Sequence, residues 1–292
     1  MEPLAPTPFS YTSFDGLNLK AFLYGEDSAP LKVLCMHGLT RNHKDFEPLI
    51  TILRQRSDLH CQFIAVDNRG RGESDYDDNT RNYIPPVYVR DMLTLLEALS
   101  IDKLALLGTS MGGLMSMLMM PLIGDNVLGV VMNDIGPVVE PVGLRRIGNY
   151  VGHNAPLPDF AAAVAAVAKR NGHVFPKFDE KDWEQFARRT CREREDGSVM
   201  MDYDPRLVDA FSTAPVTAVG RFYSWRLFSR MRRCPLLLIR GQHSDLLSDR
   251  VARRMVRRHG KAELVTVPDV GHAPILNEPE AASAIGEFLA AL

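Results

Sequence analysis

The chain has 292 residues, of which 46% are hydrophobic and 24% are charged, and its formal net charge is -2. This balance excludes a disordered chain, which needs few apolar residues and a high net charge. It also argues against a nucleic-acid-binding protein, which usually carries a basic excess. The first residues, Met1–Leu4, show neither a basic segment nor an apolar run. We therefore expect a cytoplasmic protein with no membrane partner.

The first half of the chain alternates short apolar runs with amphipathic stretches. We predict strands at 18–24, 32–36, 62–66, 104–107 and 127–132, with helices at 45–56, 88–99 and 111–123. The alternation stops after residue 134 and resumes with a strand at 235–239, a helix at 249–258, a strand at 263–267 and a helix at 280–292. Strands separated by helices predict an α/β fold with a mostly parallel sheet covered on both faces.

The interruption between the two halves predicts an inserted, mainly helical cap. We place the cap at 136–233 and the core at 1–135 and 234–292. Twelve of the 23 aromatic residues, including both tryptophans, lie between 137 and 233. They can line an apolar pocket for substrate, or they can form the core of the cap itself. The first interpretation makes four aromatic residues candidates for substrate binding: Trp183, Phe222, Tyr223 and Trp225.

A serine between glycines is the candidate nucleophile. Gly108-Thr109-Ser110-Met111-Gly112 matches G-x-S-x-G, follows a predicted strand directly and opens a predicted helix. In that context the turn is tight and glycine is needed on both sides, so the Ser110 hydroxyl is pushed out above the carboxyl ends of the strands. The pattern alone is common, and its position between strand and helix makes it specific.

A serine hydroxyl needs a base, and the base needs a carboxylate that orients it. His272 follows the last predicted strand and fits the base better than the other seven histidines. Asp245 follows the penultimate strand and gives the chain order Ser, Asp, His that this type of site uses. We therefore predict Asp245 as the acid. The rival is Asp134, at the end of the strand that follows the nucleophile helix.

Acyl transfer also needs fixed N–H donors for a negatively charged oxygen. We predict the backbone N–H groups of Met111, directly after the nucleophile, and of Leu39, in the loop after His37-Gly38. In the loop Asp67–Ser74, the pattern Gly70-x-Gly72 is too short for a dinucleotide fingerprint and starts no helix in the required place, so we interpret the loop as structural. The sequence contains no metal-binding motif, so we expect neither a metal nor a cofactor.

These motifs together resemble the serine α/β-hydrolase superfamily with a cap after the sixth strand. The resemblance rests on His37-Gly38, Gly108–Gly113, Ser244-Asp245 and Gly271-His272, and it covers essentially the whole chain. Members that cleave carbon–halogen bonds or epoxides carry aspartate as the nucleophile. Ser110 departs from them, so the resemblance implies hydrolysis of esters, thioesters, lactones or carbon–carbon bonds of diketones.

Three functions remain open at this point. The first is a hydrolase of small to medium apolar carboxylic esters that acts through an acyl-enzyme on a small-molecule substrate. The second is a carbon–carbon bond hydrolase of diketone ring-fission products, which needs a cationic group for the substrate carboxylate; Arg41 is the candidate. The third is a ligand-binding protein that keeps the pocket without catalysis, against which an intact triad argues. The sequence does not indicate an oligomeric state.

Overall fold

The structure, a computed structural model, describes residues 5–211 and 218–292. Its main sheet is formed by eight strands: β1 (Thr7–Thr12), β2 (Asn18–Tyr24), β3 (Leu31–Met36), β4 (Cys61–Asp67), β5 (Leu104–Thr109), β6 (Val127–Asn133), β9 (Leu236–Gly241) and β10 (Ala262–Val267). A separate hairpin is formed by β7 (Cys191–Glu193) and β8 (Val199–Met201). The order in the main sheet is β1-β2-β4-β3-β5-β6-β9-β10. β1 and β2 are antiparallel to their neighbours, and all other pairs are parallel.

The helices lie between the strands and in the segment that separates β6 from β9. They are α1 (Glu47–Leu53), α2 (Pro85–Ala98), α3 (Met111–Ile123), α4 (Pro141–Gly148), α5 (Phe160–Asn171), α6 (Glu180–Thr190), α7 (Leu207–Phe211), α8 (Ala218–Arg230), α9 (Asp249–His259) and α10 (Pro279–Ala290). We call residues 136–233 the insert, which contains α4 to α8 and the β7-β8 hairpin.

The sheet is buried on both faces, as the near-continuous apolar strands require. Alternate residues of a strand point to opposite faces, so β3 sends Leu34 and Met36 to one cluster and Val33 and Cys35 to the other. The first cluster includes side chains of α2, α3 and α9. The second includes side chains of α1 and α10. The parallel strands, held between two helical layers, therefore all have their carboxyl ends along one side of the sheet, which we call its carboxyl edge.

The order of the strands determines which loops meet at that edge. β5 pairs with β3 on one side and with β6 on the other, and β6 pairs with β9. The loops after β3, β5 and β6 therefore lie side by side. In open parallel sheets this edge is where ligands bind.

The predicted fold class, a mostly parallel sheet flanked by helices, is confirmed. The sequence analysis did not identify β1, an edge strand whose side chains are mostly exposed, or the short β7-β8 hairpin in the insert. No described helix is both long enough and apolar enough to cross a membrane.

Candidate active site

The turn from β5 into α3 holds Ser110 in a strained conformation. Its φ is 51° and its ψ is -109°, a region that non-glycine residues rarely occupy and that costs about 1–3 kcal/mol. The flanking glycines are needed for space. A Cβ on Gly108 would lie 2.4 Å from the backbone of Gly112, and a Cβ on Gly112 would lie 1.9 Å from the Met36 carbonyl oxygen. The two glycines thus have the role that the motif predicts.

Ser110, His272 and Asp134 form a hydrogen-bonded chain. The Ser110 Oγ lies 2.9 Å from His272 Nε2, and His272 Nδ1 lies 2.8 Å from Asp134 Oδ2. Because a carboxylate accepts, His272 Nδ1 carries the proton toward Asp134, and the unprotonated Nε2 faces the serine hydroxyl. This tautomer is the one in which histidine can take a proton from serine. The predicted nucleophile and base are brought together.

Asp134 is held for this contact by the neighbouring strand. It follows β6 directly, has φ 56° and is fully buried. Its N–H donates to the Ile239 carbonyl at 2.8 Å, and its Oδ1 accepts from the Gly241 N–H at 3.1 Å. One carboxylate oxygen is therefore fixed by β9, which leaves the other for His272.

The prediction that Asp245 orients His272 is wrong. The Asp245 carboxylate is bound by the Arg146 guanidinium, through Nε at 2.6 Å and Nη2 at 2.8 Å. Burial alone would raise the Asp245 pKa, but the hydrogen bonds and charge of Arg146 outweigh burial and lower it. Arg146 belongs to α4, so the carboxylate at the usual position in the sequence ties the core to the insert. Asp134, the rival, takes the place beside His272.

Asn133 connects the three loops of the site. Its carbonyl accepts from the Ser110 N–H at 2.9 Å. Its Nδ2 donates to the Pro274 carbonyl at 2.8 Å, two residues after His272, and to the Thr109 hydroxyl at 3.2 Å. Since Asn133 also precedes Asp134 in the chain, one buried residue sets the relative positions of nucleophile, base and acid. The sequence analysis did not identify it.

The orientation of the Gly38-Leu39 peptide is set by two contacts of its carbonyl group. The Gly38 carbonyl accepts from the Arg41 N–H at 3.2 Å and lies 2.6 Å from His37 Nδ1. Carbonyl and N–H of one trans peptide point in opposite directions. The N–H of Leu39 therefore points away from His37, and Leu39 lines the same pocket as Ser110.

Met111 is the second predicted donor. It is the first residue of α3, and among the described residues neither its N–H nor that of Leu39 has a hydrogen-bond partner. The N-terminal end of a helix carries a partial positive charge. The unpaired N–H of Met111 at this positive helix end, together with the unpaired N–H of Leu39 in the loop after β3, is suited to hold a negatively charged oxygen on a substrate bound to Ser110.

Buried Arg71 holds the loop that carries Leu39. Its Nε donates to the Leu39 carbonyl at 3.0 Å, and its Nη1 donates to the Tyr88 hydroxyl at 2.9 Å. Arg71 is fully buried and belongs to the loop after β4. The interpretation of Asp67–Ser74 as a structural loop beside the site agrees with these contacts.

His37 is neutral in this arrangement. Its Nε2 accepts from the Asn68 N–H at 3.1 Å, so its Nδ1 must donate to the Gly38 carbonyl. Burial, with a smaller effect from the positive charge of Arg71, lowers the His37 pKa from 6.5 to about 4. The unfolded chain therefore binds this proton at higher pH than the folded chain. The stability that neutral His37 contributes is present above pH 6.5 and is lost as the pH falls toward 4.

We expect His37→Gln to flatten the acid dependence of stability. Between pH 6.5 and 4 the wild type should lose about 3 kcal/mol more unfolding free energy than the variant, because glutamine does not titrate. Urea titrations at several pH values measure the difference. His60→Gln is the control, since His60 is exposed. Parallel stability profiles for wild type and His37→Gln would contradict the assignment.

The pocket in front of Ser110 lies between the core and the insert. Its volume of about 120 Å³ is many times the ~10–15 Å³ that one water molecule needs, so a small molecule can enter. The core contributes the loops 38–41, 109–110 and 272–276. The insert contributes aromatic, apolar and basic side chains, among them Tyr150, Val167, Arg170, Phe175, Phe186 and Tyr203.

The four aromatic residues predicted to bind substrate do not line this pocket. Phe222 and Tyr223 are 67% and 64% exposed on α8. The Trp225 ring lies 4.6 Å from the Arg254 guanidinium and 4.7 Å from that of Arg258, on the side that faces α9.

Trp183 packs within the insert and does not reach the pocket. Its ring lies 4.9 Å from Phe178 and 5.9 Å from Phe186, and only Phe175 and Phe186 of this cluster extend to the pocket. The prediction is wrong: Trp183 stabilises the insert, as the second interpretation proposed, Trp225 packs against α9 of the core, and Phe222 and Tyr223 are exposed.

Arg41, the candidate carboxylate-binding group, is already paired. Its Nε donates to both oxygens of Asp45, at 2.9 and 2.8 Å, and Nη2 also contacts Asp45. Its guanidinium stacks on the Phe186 ring at 4.2 Å. Among residues 5–211 and 218–292, no group of three or more His, Cys, Asp or Glu side chains is placed to hold a metal ion.

The sequence matches the model of the "Alpha/beta hydrolase family" over residues 33–285. The protein belongs to this family. The predicted family resemblance is thus confirmed, and the Ser110–His272–Asp134 chain lies within the matched part of the hydrolase.

Three relatives of the hydrolase are informative. It is 33% identical to 3-hydroxybutyrate-oligomer hydrolase of Cupriavidus necator over 88% of this chain and 87% of the relative. It is 29% identical to 2-(acetamidomethylene)succinate hydrolase of Mesorhizobium japonicum over 84% and 82%. A crystal structure of an alpha/beta hydrolase from Novosphingobium aromaticivorans superposes with a TM-score of 0.91 at 38% identity and covers 99% of both chains. These similarities show a hydrolase and leave its substrate open.

Proposed function

We propose that this hydrolase cleaves small to medium carboxylic esters through an acyl-enzyme on Ser110. The observation that carries the proposal is the hydrogen-bonded chain from Ser110 through His272 to buried Asp134. Next to it, the N–H groups of Leu39 and Met111 lack a partner among the described residues. Nucleophile, base, orienting acid and oxyanion donors are the parts that acyl transfer requires.

The proposed reaction has two steps of acyl transfer. The Ser110 Oγ attacks the ester carbonyl while His272 Nε2 takes the hydroxyl proton, and the carbonyl oxygen becomes negative beside the Leu39 and Met111 N–H groups. The ester bond breaks, and His272 returns the proton to the departing alcohol. Water then attacks the acyl-serine with His272 again as base, which releases the acid and restores Ser110. Asp134 stabilises the positively charged imidazole in both steps.

The insert acts in this proposal as a cap that selects substrates. It supplies 10 of the 23 described residues that line the pocket. It also contacts the loop that carries His272, because the Val174 carbonyl accepts from the Gly271 N–H at 2.8 Å. The reaction uses groups of the chain itself, so we propose a small-molecule ester as substrate and water as co-reactant, with no cofactor. Thioesters and lactones fit the same chemistry.

Carbon–carbon bond cleavage is the weaker candidate. It was tied to Arg41, but Asp45 already neutralises Arg41, so a diketone carboxylate would have to bind another cation of the pocket. A ligand-binding protein without catalysis does not require the His272 tautomer or the unpaired N–H groups. Among the relatives, the name 3-hydroxybutyrate-oligomer hydrolase designates an enzyme that acts on a hydroxy acid oligomer, which favours ester chemistry.

The test compares substrates of the two reactions directly. We expect p-nitrophenyl butyrate to be hydrolysed with burst release of nitrophenol, and a fluorophosphonate probe to modify Ser110 alone among the serines, as peptide mass spectrometry would show. A vinylogous 1,5-diketone ring-fission analogue should be cleaved at least about 100-fold more slowly. Cleavage of the diketone without turnover of the ester would overturn the proposal.

A further inference from the structure

One positive charge in the pocket has no negative counterpart. Asp45 is the single carboxylate among the described lining residues, and Arg41 neutralises it. Arg170, in the last turn of α5, lines the same pocket and lies 5.3 Å from the centre of the Tyr150 ring. Within residues 5–211 and 218–292, no carboxylate forms an ion pair with Arg170. The described lining therefore carries excess positive charge on the insert side.

A buried hydroxyl faces the same space. Tyr203 is 1% exposed, and its hydroxyl has no hydrogen-bond partner among the described residues. Its backbone is fixed by a β-bridge to Arg71 and by Asn154, whose Nδ2 donates to the Tyr203 carbonyl at 3.0 Å. Burial raises the Tyr203 pKa, and nearby Arg170 opposes that rise through its charge and its contact with the hydroxyl. A buried hydroxyl without a hydrogen-bond partner costs free energy, and a ligand that forms a hydrogen bond with it would remove that cost.

We propose that Arg170 and Tyr203 bind a carboxylate on the substrate, so that the ester cleaved at Ser110 is an anion. This rests on the proposed esterase function and specifies its substrate class. The guanidinium offers several N–H donors and the phenol one O–H donor, and a carboxylate offers only acceptors. Arg170 contributes one positive charge that no carboxylate of the described lining balances, which matches a ligand with one negative charge. Ser110 lies on the core side of the pocket and Arg170 on the insert side, so one small molecule can contact both.

Two kinds of ester satisfy this chemistry, and two probe pairs distinguish them. The carboxylate sits on the alcohol part in the linear dimer of 3-hydroxybutyrate, whose uncharged counterpart is the methyl ester of the dimer. It sits on the acyl part in the mono-p-nitrophenyl ester of glutaric acid, whose uncharged counterpart of equal acyl length is p-nitrophenyl pentanoate. In either pair, the anionic and neutral members differ mainly at the carboxylate.

The first measurement is binding, which does not depend on turnover. Isothermal titration calorimetry on Ser110→Ala should show that the anionic member of at least one pair binds about 10- to 100-fold tighter than its neutral counterpart. Adding Arg170→Gln should abolish this preference, and adding Tyr203→Phe should reduce it. Adding Lys169→Gln is the matched control. It removes the same charge from an exposed neighbour on α5 and should leave the preference for the anionic member unchanged.

The second measurement is the ratio of kcat/KM for the two members of the preferred pair in proteins that keep Ser110. The ratio is independent of the fraction of folded enzyme, because that fraction cancels between the two members. A loss of stability in Arg170→Gln therefore does not change the ratio. Arg170→Lys should restore part of the preference. Equal binding of anionic and neutral members in both pairs, or equal losses for both members in Arg170→Gln, would overturn the carboxylate site. A clear anion preference without hydrolysis by the wild type would instead refute the esterase function alone.

Discussion

We expect Ser110→Ala to lower kcat/KM for p-nitrophenyl butyrate by at least about 10,000-fold. The change removes the atom that lies 2.9 Å from His272 Nε2, and within residues 5–211 and 218–292 no other serine is hydrogen-bonded to His272. The backbone of the turn stays the same, since its shape is set by Gly108, Gly112 and the Ser110 N–H bond to Asn133. Steady-state kinetics on carefully purified variant protein measure the loss.

The fold should survive this substitution. One hydroxyl at the pocket surface is removed, so the melting temperature should stay within about 2–4 °C of the wild type, as a change of at most 1 kcal/mol predicts for a chain of this size. Circular dichroism and thermal unfolding provide the control. A folded Ser110→Ala protein that retains more than about a tenth of the wild-type kcat would remove Ser110 from the mechanism.

We expect Asp134→Asn to lower kcat about 1,000- to 10,000-fold, whereas Asp245→Asn should lower it less than about tenfold. Asparagine at 134 can offer an N–H to His272 Nδ1 and so favour the tautomer whose Nε2 is protonated and cannot act as base. Asp245 has no hydrogen bond to His272, and its loss affects the Arg146 pair. That pair is partly exposed, so breaking it should cost only about 1 kcal/mol of stability.

The two aspartate variants are matched controls for each other. Each replaces one carboxylate by its amide, and both positions lie at the carboxyl edge of the sheet. Kinetics should be recorded from pH 5 to 9 with folding checked at each pH. If Asp245→Asn proves the more damaging change while both proteins are folded, the acid has been misassigned.

The elements that depend on local sequence could be predicted. The strand at 18–24 and the helix at 111–123 coincide with β2 and α3, because apolar runs of the right length and flanking turn residues determine them. The nucleophile turn could be predicted for the same reason. Its geometry depends on two glycines within five residues, and the structure shows what any larger residue would strike.

The acid partner of His272 depends on tertiary contacts that the sequence does not display. Both Asp134 and Asp245 follow a strand and precede His272 in the chain. The choice between them is made by Gly241, which holds one Asp134 oxygen, and by Arg146, which draws the Asp245 carboxylate toward α4. Asp134 also had a local signal, because it directly follows the strand next to the nucleophile strand.

The pocket residues of the insert could not be predicted for a related reason. Which side chains of a helix face a pocket depends on how the helix is rotated against its neighbours. Phe222 and Tyr223 face away from the core on α8, whereas Tyr203 reaches the pocket from a short bridge that no periodic pattern indicates. The composition showed many aromatic residues in this region but could not distinguish the insert's own core from the pocket wall.

The restraints on Asp134 bear on how this enzyme could diversify. They come from Ile239 and Gly241, both in the core, although the insert begins only two residues further along the chain. The groups that would recognise substrate, Arg170 and Tyr203, belong to the insert. A segment exchanged between residues 136 and 233 would thus bring a new recognition surface to an unchanged reaction centre. It would have to supply again the contacts of the insert that support the site, among them the Val174 carbonyl for the Gly271 N–H and the Tyr203 bridge to Arg71, which holds the Leu39 loop. A single exchange of the insert, in evolution or by engineering, would in this way change substrate selectivity while the catalytic residues of the core stay the same.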